Sequence, residues 1–411
     1  MTVELAYPID LVRRQFPALR RKHARKPVAY FDGPGGSQVV GTCIDAMAKY
    51  MRRGGANLHG QFPSSLETEA HIEEARLAMA DLLNASPEEI AFGASATTLL
   101  FHLARAIGRD WKKGDEIVVT ELDHRGNVDP WITLAQDKGV TVRWIKVNLD
   151  TFTLELGDLD RLVNERTKLV AVGLASNAVG TVNDVARVAA RARQVGALVA
   201  VDAVQAVPHF AVDFQALGAD ILSCSAYKFF GPHIGIVAIR SEVFEKLAVY
   251  RLVPAPSEAP GKLETGTANH EGLAGIKPAV EFIASLGTGR KRRDRLVAGY
   301  ERMEAHENSL AEKLRATLAT MPRVRLYQAP PEVRKTPTVA LTVEGMTPAE
   351  VCRFIIDRAS VFIADGNFYA WTLAEKLGIN PTGAWVRAGL SPYNTEEEVD
   401  RFLSAMARML K

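Results

Sequence analysis

Lys228 stands in a polar turn between two apolar runs, within Asp220-Ile-Leu-Ser-Cys-Ser-Ala-Tyr-Lys-Phe-Phe-Gly-Pro-His-Ile-Gly-Ile-Val-Ala-Ile239. An ammonium set among Tyr227, Phe229 and Phe230 is partly desolvated, which lowers its pKa and suits it to a Schiff base with an aldehyde. A lysine between two strands is also an ordinary solvated turn residue, so the reading depends on what accompanies it. Asp202 follows directly on the apolar run Leu198-Val-Ala-Val201, Ser95 sits where a helix starts, and His124 lies in a turn after a strand. Pyridoxal phosphate needs four such parts: a lysine for its aldehyde, a carboxylate to keep the pyridine nitrogen protonated, donors for its phosphate and a ring to lie against it. Taken singly, Asp202 reads equally as a cap, Ser95 as an ordinary N-cap and His124 as a surface residue. Their order and their placement at strand ends favour a common task.

The elements that must position these residues are short apolar runs alternating with helical patterns. Val28 to Phe31 reads as a strand, followed by the loop Asp32-Gly-Pro-Gly-Gly-Ser37, whose glycines allow close backbone approach. Helices are predicted from about Gln38 to Arg53 and from Ser65, a possible cap, to about Leu83. Ile90 to Phe92, Glu116 to Thr120, Val140 to Val147, Lys168 to Leu174 and Ala197 to Asp202 read as strands. Ala96 to Ile107 and Asp184 to Val195 read as helices. This alternation predicts an α/β fold with a mostly parallel central sheet covered on both faces, whose ligands bind beyond the carboxyl ends of the strands. From Gly272 the pattern shifts to long helices, then to strands at Thr338 to Val343 and Trp385 to Leu390. The simplest organisation is a large domain over residues 28–265, with residues 1–27 and 266–411 forming a smaller α+β domain, and Pro254 to Gly261 as a loop or lid.

Composition removes several function classes. The 411 residues are 47% hydrophobic, enough for a sizeable core, and 50 basic against 48 acidic residues leave a net charge of +2. Such a balance provides no field to draw nucleic acid or a membrane surface. The cluster Arg290-Lys-Arg-Arg293 lacks aromatic stacking partners and reads as a solvated helix start. Cys43, Cys224 and Cys352 have no CxxC spacing, which argues against a disulfide framework or structural zinc and fits a reducing compartment. With no apolar run long enough to span a bilayer and no signal-peptide pattern in Met1 to Asp10, the expected location is the cytoplasm.

Four stretches carry a family resemblance: Val201-Asp-Ala-Val-Gln-Ala206, Ser225-Ala-Tyr-Lys-Phe-Phe-Gly-Pro232, Glu264-Thr-Gly-Thr-Ala-Asn269 and Arg387-Ala-Gly-Leu-Ser-Pro-Tyr-Asn-Thr395. The chain resembles, over nearly its whole length, the class V aminotransferases among fold type I pyridoxal phosphate enzymes, in particular the cysteine desulfurase and selenocysteine lyase branch. The resemblance implies that Lys228 forms the Schiff base, Asp202 pairs with the pyridine nitrogen and Gln205 contacts the ring's phenolic oxygen. It gives His124 the stacking position and a share in catalysis, and assigns Ser95, Ala96 and Ser225 to the phosphate. Tyr227 is expected beside the cofactor and Asn177 beside ring and substrate, with Arg387 clamping the substrate carboxylate. Thr267 matches a threonine that the family contributes from the partner subunit, which implies a homodimer with sites at its interface.

The departures from the family carry information too. Desulfurases bear, in a loop before the last strand, a cysteine that attacks the substrate sulfur. Here that loop reads Ala364-Asp-Gly-Asn-Phe-Tyr-Ala-Trp371, with Tyr369 where the cysteine is expected. A phenol, of reference pKa about 10, is a poor substitute nucleophile at neutral pH. The three cysteines read as small buried hydrophobes. Tyr227 also replaces the histidine that usually precedes the lysine; Tyr369 is a candidate to read the substrate side chain, and His59 either does so or lines a dimer contact. The expected activity is a carbon-sulfur or carbon-selenium lyase acting on an amino acid without a protein persulfide. An aminotransferase, an epimerase and a non-catalytic pyridoxal phosphate-binding partner or sensor are the alternatives.

Overall fold

The computed structural model describes residues 7–411. Its centre is a seven-stranded sheet made of β1 (Ile90–Gly93), β2 (Glu116–Thr120), β3 (Thr141–Ile145), β4 (Thr167–Gly173), β5 (Leu198–Asp202), β6 (Ile221–Ser225) and β7 (Gly235–Ile239), in the order β1-β7-β6-β5-β4-β2-β3. From β3 to β6 every pairing is parallel, while β7 runs antiparallel to both β6 and β1. Alternate residues of each strand feed two cores. Val118, Val170, Val172, Val199, Val201 and Leu222 pack on one face, and Ile117, Val119, Leu169, Ala171, Ala200 and Ile221 on the other. A sheet buried on both faces therefore reads as continuous apolar runs, as the sequence does here.

Helices α1 (Gly41–Arg53), α2 (Pro63–Leu83), α3 (Ala96–Ile107), α4 (Asp129–Lys138) and α5 (Val185–Gln194) cover these faces, α2 and α5 on one and α3 and α4 on the other. Ser65 is not the cap of α2. The helix begins at Pro63, whose fixed φ suits the first turn, and Ser65 Oγ instead donates to Asn57 O at 2.6 Å and accepts from Gly60 N at 2.8 Å.

The chain continues through α6 (His270–Ala274), α7 (Ile276–Ser285) and the long α8 (Arg292–Ala319) to a four-stranded antiparallel sheet. That sheet holds β8 (Val324–Tyr327), β9 (Thr338–Val343), β10 (Ala364–Gly366) and β11 (Trp385–Gly389), in the order β8-β9-β11-β10, with α9 (Pro348–Ala359) and α10 (Glu396–Met409) packed on it. The expected boundary at residues 265 and 266 does not follow the packing. Leu273, Ile276, Val280, Leu296, Tyr300 and Met303 belong to the first core, while Ala29 and Phe31 lie in the second, because strand Ala29–Tyr30 pairs with Val361–Phe362. One helix, α8, thus contributes Met303 to the first core and Leu310 to the second.

Half of the basic cluster at the start of α8, Arg290 and Lys291, is exposed as a solvated helix start should be, and the other half is tied down. Arg292 binds Asp81 at 2.8 Å and Glu281 at 2.7 Å, and Arg293 donates to Leu82 O at 2.7 Å and Val212 O at 3.1 Å. Helices α7 and α8 approach closely because Gly299 has no side chain, and a Cβ there would stand 2.3 Å from Ile283 O. Gly299→Ala is expected to lower unfolding free energy by about 1–3 kcal/mol, read as a fall in the denaturant midpoint.

Candidate active site

The carboxyl ends of the parallel strands open onto a cavity of about 340 Å³. Ser95 and Ala96 come from the turn after β1, Asp123 and His124 from that after β2, and Asn177 from that after β4. Asp202 ends β5, and Ser225, Tyr227 and Lys228 follow at the end of β6. The remaining wall comes from the second sheet, through Arg387 on β11 and the adjoining Phe368 and Tyr369, and from Pro34 and Gly35 of the glycine-rich loop.

Lys228 occupies a single turn, Ala226–Lys228, closed by Gly231 N donating to Ala226 O at 3.0 Å and by Phe230 in the left-handed region at φ +69°. Phe229 and Phe230 are buried beneath it. The amine donates to Pro34 O and stands 4.8 Å from the Tyr227 ring centroid. Burial, then the positive charge of Arg387, pull its pKa down to about 7, with Asp32 and Asp202 acting the other way. A lysine of ordinary pKa is almost wholly protonated at neutral pH. This one is half deprotonated there, as a nucleophile or base must be.

Asp202 faces the same space. Burial raises its carboxyl to about 6, against the hydrogen bond it accepts from Val204 N at 2.8 Å and the charge of Lys228. A protonated pyridine nitrogen opposite would complete an ion pair and restore its ionised form. The pKa of His124 falls to about 4, through burial and then the charges of Lys228 and Arg387. Its Nδ1 accepts from Gly126 N at 2.9 Å, which leaves the ring proton on Nε2 and the imidazole neutral. Ser95 caps α3, its hydroxyl accepting from Thr98 N at 3.1 Å, so the first turn of a twelve-residue helix points its free N–H groups at the cavity.

Arg387 Nη1 donates to Asn177 O at 3.0 Å, Nη2 lies 3.1 Å from Asp32 Oδ1, and the guanidinium carbon stands 3.6 Å above the Phe368 ring. The loop that carries Phe368 is held in an unusual shape, with Phe368 and Tyr369 at φ +51° and +60°. Asn177 Nδ2 donates to Phe368 O at 2.8 Å and Arg125 N to Tyr369 O at 2.9 Å. The Tyr369 ring stands 5.2 Å from that of His124 but is 69% exposed, so it forms the rim of the cavity.

Residues that the sequence placed together are thus largely together, with one exception. His59 lies away from the cavity, its side chain 88% exposed and paired with Glu69 at 3.6 Å. The segment Asn57 to Phe62 around it lines no part of the Lys228 cavity. Thr267 is exposed in a second cavity of about 640 Å³ beyond the start of α3. It is presented by a segment anchored at both ends: Glu264 binds Arg76 at 3.0 and 3.1 Å and accepts from Phe92 N, and Asn269 caps α6.

Two acids at the site were not singled out from sequence. Asp32 holds Arg387 across 355 residues of chain, from the glycine-rich loop whose close backbone approach the sequence indicated. Asp123 is buried, its carboxyl raised to about 7 by burial, and it accepts from Asn127 Nδ2 at 2.9 Å. An acid preceding a histidine in a turn resembles any surface pair, and only the fold shows it inside.

Unpaired polar atoms test whether a cofactor fits. Asn177 Oδ1, Gln205 Oε1 and Arg387 Nε are buried without a partner, and all three residues line this one cavity. Buried polar groups are ordinarily satisfied, so these point to a polar guest. Gly235 lets β7 pack directly on the backbone of Ser95 and Ala96, where a Cβ would come within 2.2 Å of the Ser95 carbonyl carbon, and this close fit sets the start of α3 beside the cavity. The residues present suit pyridoxal phosphate.

The class V aminotransferase model matches residues 29–402. The chain belongs to that family. Class V aminotransferases use pyridoxal phosphate, and this chain is a pyridoxal phosphate-dependent enzyme of that kind. It is 32% identical to a cysteine desulfurase of Enterobacter sp. (strain 638), over 98% of this chain and 99% of the relative. It is 31% identical to an aminotransferase-like protein of Gibberella zeae, over 98% and 99%. Among solved structures, the apo cysteine desulfurase of Thermococcus onnurineus NA1 superposes with a TM-score of 0.88 at 29% identity, covering 99% of this chain and 98% of that one. Cysteine desulfurase CsdA of Escherichia coli gives 0.86 at 26%, over 98% and 99%. The expected fold, a fold type I α/β architecture, is therefore found.

The charge arrangement predicts how the class V site responds to pH. Lys228 is charged below about pH 7 and neutral above it, so covalent capture of pyridoxal phosphate by apoprotein should rise with pH through about 7 rather than near 10. Asp32→Asn removes a charge that raises the lysine pKa, and stopped-flow absorbance should show the rise displaced to lower pH.

Proposed function

We propose that this chain is a pyridoxal phosphate-dependent lyase that removes a sulfur- or selenium-bearing β-substituent from an amino acid by elimination, without loading the sulfur onto a protein thiol. The observation that carries this reading is a cavity uniting Lys228, Asp202 and Arg387 in which, among the described residues, no cysteine takes part. The loop expected to present a thiol presents Tyr369 at the rim. All three cysteines are buried elsewhere, with burial pushing Cys43 up to about 12 and raising Cys224 and Cys352 as well.

When bound, the cofactor takes up the electrons released as the substrate's α-C–H bond breaks. The chain's residues perform the rest. Arg387, with Asn177 beside it, holds the α-carboxylate through a bidentate fork, for which Asp32 must yield one edge. Lys228, half deprotonated near pH 7, takes the α-proton. Asp202 keeps the pyridine nitrogen protonated, neutral His124 lies along the ring face, and Gln205 meets the phenolic oxygen with Tyr227 nearby. Ser95, the Ala96 backbone and Ser225 hold the phosphate. Thr267, outside its own chain's cavity, serves the partner's phosphate in a homodimer. His59, which this cavity excludes, is left to that same subunit contact. The β-substituent leaves as an anion, and the remaining three-carbon fragment hydrolyses to pyruvate and ammonia.

A second reading, transamination, is favoured by the similarity to the aminotransferase-like relative. It requires the proton held by Lys228 to return to the cofactor carbon instead of the substituent departing.

Incubation of the loaded enzyme with cysteine, cystine, cysteine sulfinate and selenocysteine should yield pyruvate from at least one. Lys228→Ala should reduce that turnover about 10³-fold or more and abolish the visible absorption that reports covalent attachment. Pyruvate from none of the four would refute the elimination. Conversion of the bound cofactor to its amine form, with a keto acid released, would establish the second reading.

A further inference from the structure

Glu307 is the only acid among the buried residues of α8, lying on a stripe otherwise made by Leu296, Tyr300, Met303 and Leu310. Its side chain is 1% exposed, and that of His209, 3.0 Å away from Glu307 Oε2 to Nδ1, is 5% exposed. A carboxylate in an apolar stripe is costly unless paired, so a helix that retains one is holding its partner. The partner reaches the active site. On the far edge of the imidazole, Nε2 lies 3.3 Å from Gln205 Nε2, which in turn lies 3.2 Å from Thr338 Oγ1. Gln205 lines the cavity, and its Oε1 is buried without a partner.

An imidazole held by a carboxylate at Nδ1 offers at Nε2 either a lone pair or a proton, and the Gln205 amide must turn the matching end towards it. Against a lone pair, the NH₂ group faces His209 and Thr338, leaving the amide oxygen free. Against an N–H, the oxygen turns to the ring and the NH₂ group is left for the cavity. We propose that Glu307 and His209 are positioning residues that select which end of the Gln205 amide meets the ring oxygen of the cofactor. The inference rests on the reading of Gln205 as a cofactor contact and adds two residues remote from the cofactor. In the structure the NH₂ group faces His209 and Thr338, so the amide oxygen is the end left for the ring oxygen, which suits a protonated one; an ionised ring oxygen needs the opposite, donor end.

The test is a double-mutant cycle on apoprotein titrated with pyridoxal phosphate, reading the dissociation constant, the ratio of near-ultraviolet to visible absorption of the bound cofactor, and the melting temperature of the apoprotein. Gln205→Leu should weaken binding about tenfold, the worth of one good hydrogen bond, and alter the absorption ratio. His209→Phe should alter both in the same direction, and the double variant should add little to Gln205→Leu alone. Glu307→Gln, which keeps the volume and removes the charge, should shift the ratio the same way and serves where His209→Phe does not fold. A lower melting temperature in His209→Phe or Glu307→Gln with binding and absorption unchanged, while Gln205→Leu changes both, would overturn the relay and leave Gln205 as the contact. No change in Gln205→Leu either would overturn both.

Discussion

The Lys228 amine and the Arg387 guanidinium share one cavity out of water, and the repulsion between these two cations is the constraint on which the site depends. Left unanswered, it would expel one charge or unfold the pocket. Three things answer it. Asp32 takes one edge of the guanidinium, Phe368 covers its face, and Asp202 stands among the groups facing the amine. What remains of the repulsion, added to burial, leaves the lysine near neutrality. The same two positive charges contribute to keeping His124 neutral, so one electrostatic arrangement sets the protonation of the lysine and of the histidine together.

Holding that arrangement requires parts from both halves of the molecule. Lys228, Asp202, Ser95 and Asn177 stand on turns after strands of the parallel sheet, whereas Arg387 projects from the antiparallel one. The two sheets are fixed relative to each other by α8, which threads both cores, and by the loop after strand Ala29–Tyr30. That loop is pinned at Gly389, where a Cβ would lie 2.0 Å from Pro34 Cδ, and at Tyr227, whose carbonyl accepts from Ser37 N and Oγ. A glycine is needed at residue 389 because the Pro34 ring packs directly on the backbone of β11. The same loop supplies Pro34 O to the lysine and Asp32 to the arginine, so positioning and charge balance come from one segment.

What the sequence disclosed follows from this construction. Lys228, Asp202, Ser95 and His124 were legible because each ends or follows an apolar run of a buried strand, and strand ends are where such a sheet places its chemistry. The direction of β7 was not, since an apolar run reads alike in either sense. Asp32 was not legible as the partner of Arg387, because a contact spanning 355 residues leaves no local trace, and His209 and Glu307 are likewise separated by 98. The domain boundary was misplaced for the same reason: α7 and the first half of α8 look like any long amphipathic helices, and only packing assigns them to the first core. His59 was a polar residue in a plausible loop, and the fold turned it outward.

A crystal structure of the protein with pyridoxal phosphate, solved with and without a carboxylate-bearing amino acid, tests directly whether this balance of Lys228, Arg387 and Asp32 governs the site. The cofactor is expected bonded to Lys228 Nζ, with its pyridine nitrogen against Asp202 and its phosphate at the start of α3, and Arg387 is expected to exchange Asp32 for the amino acid's carboxylate. A cofactor bound elsewhere, or an Arg387 that keeps Asp32 while the amino acid is held by other groups, would contradict this arrangement.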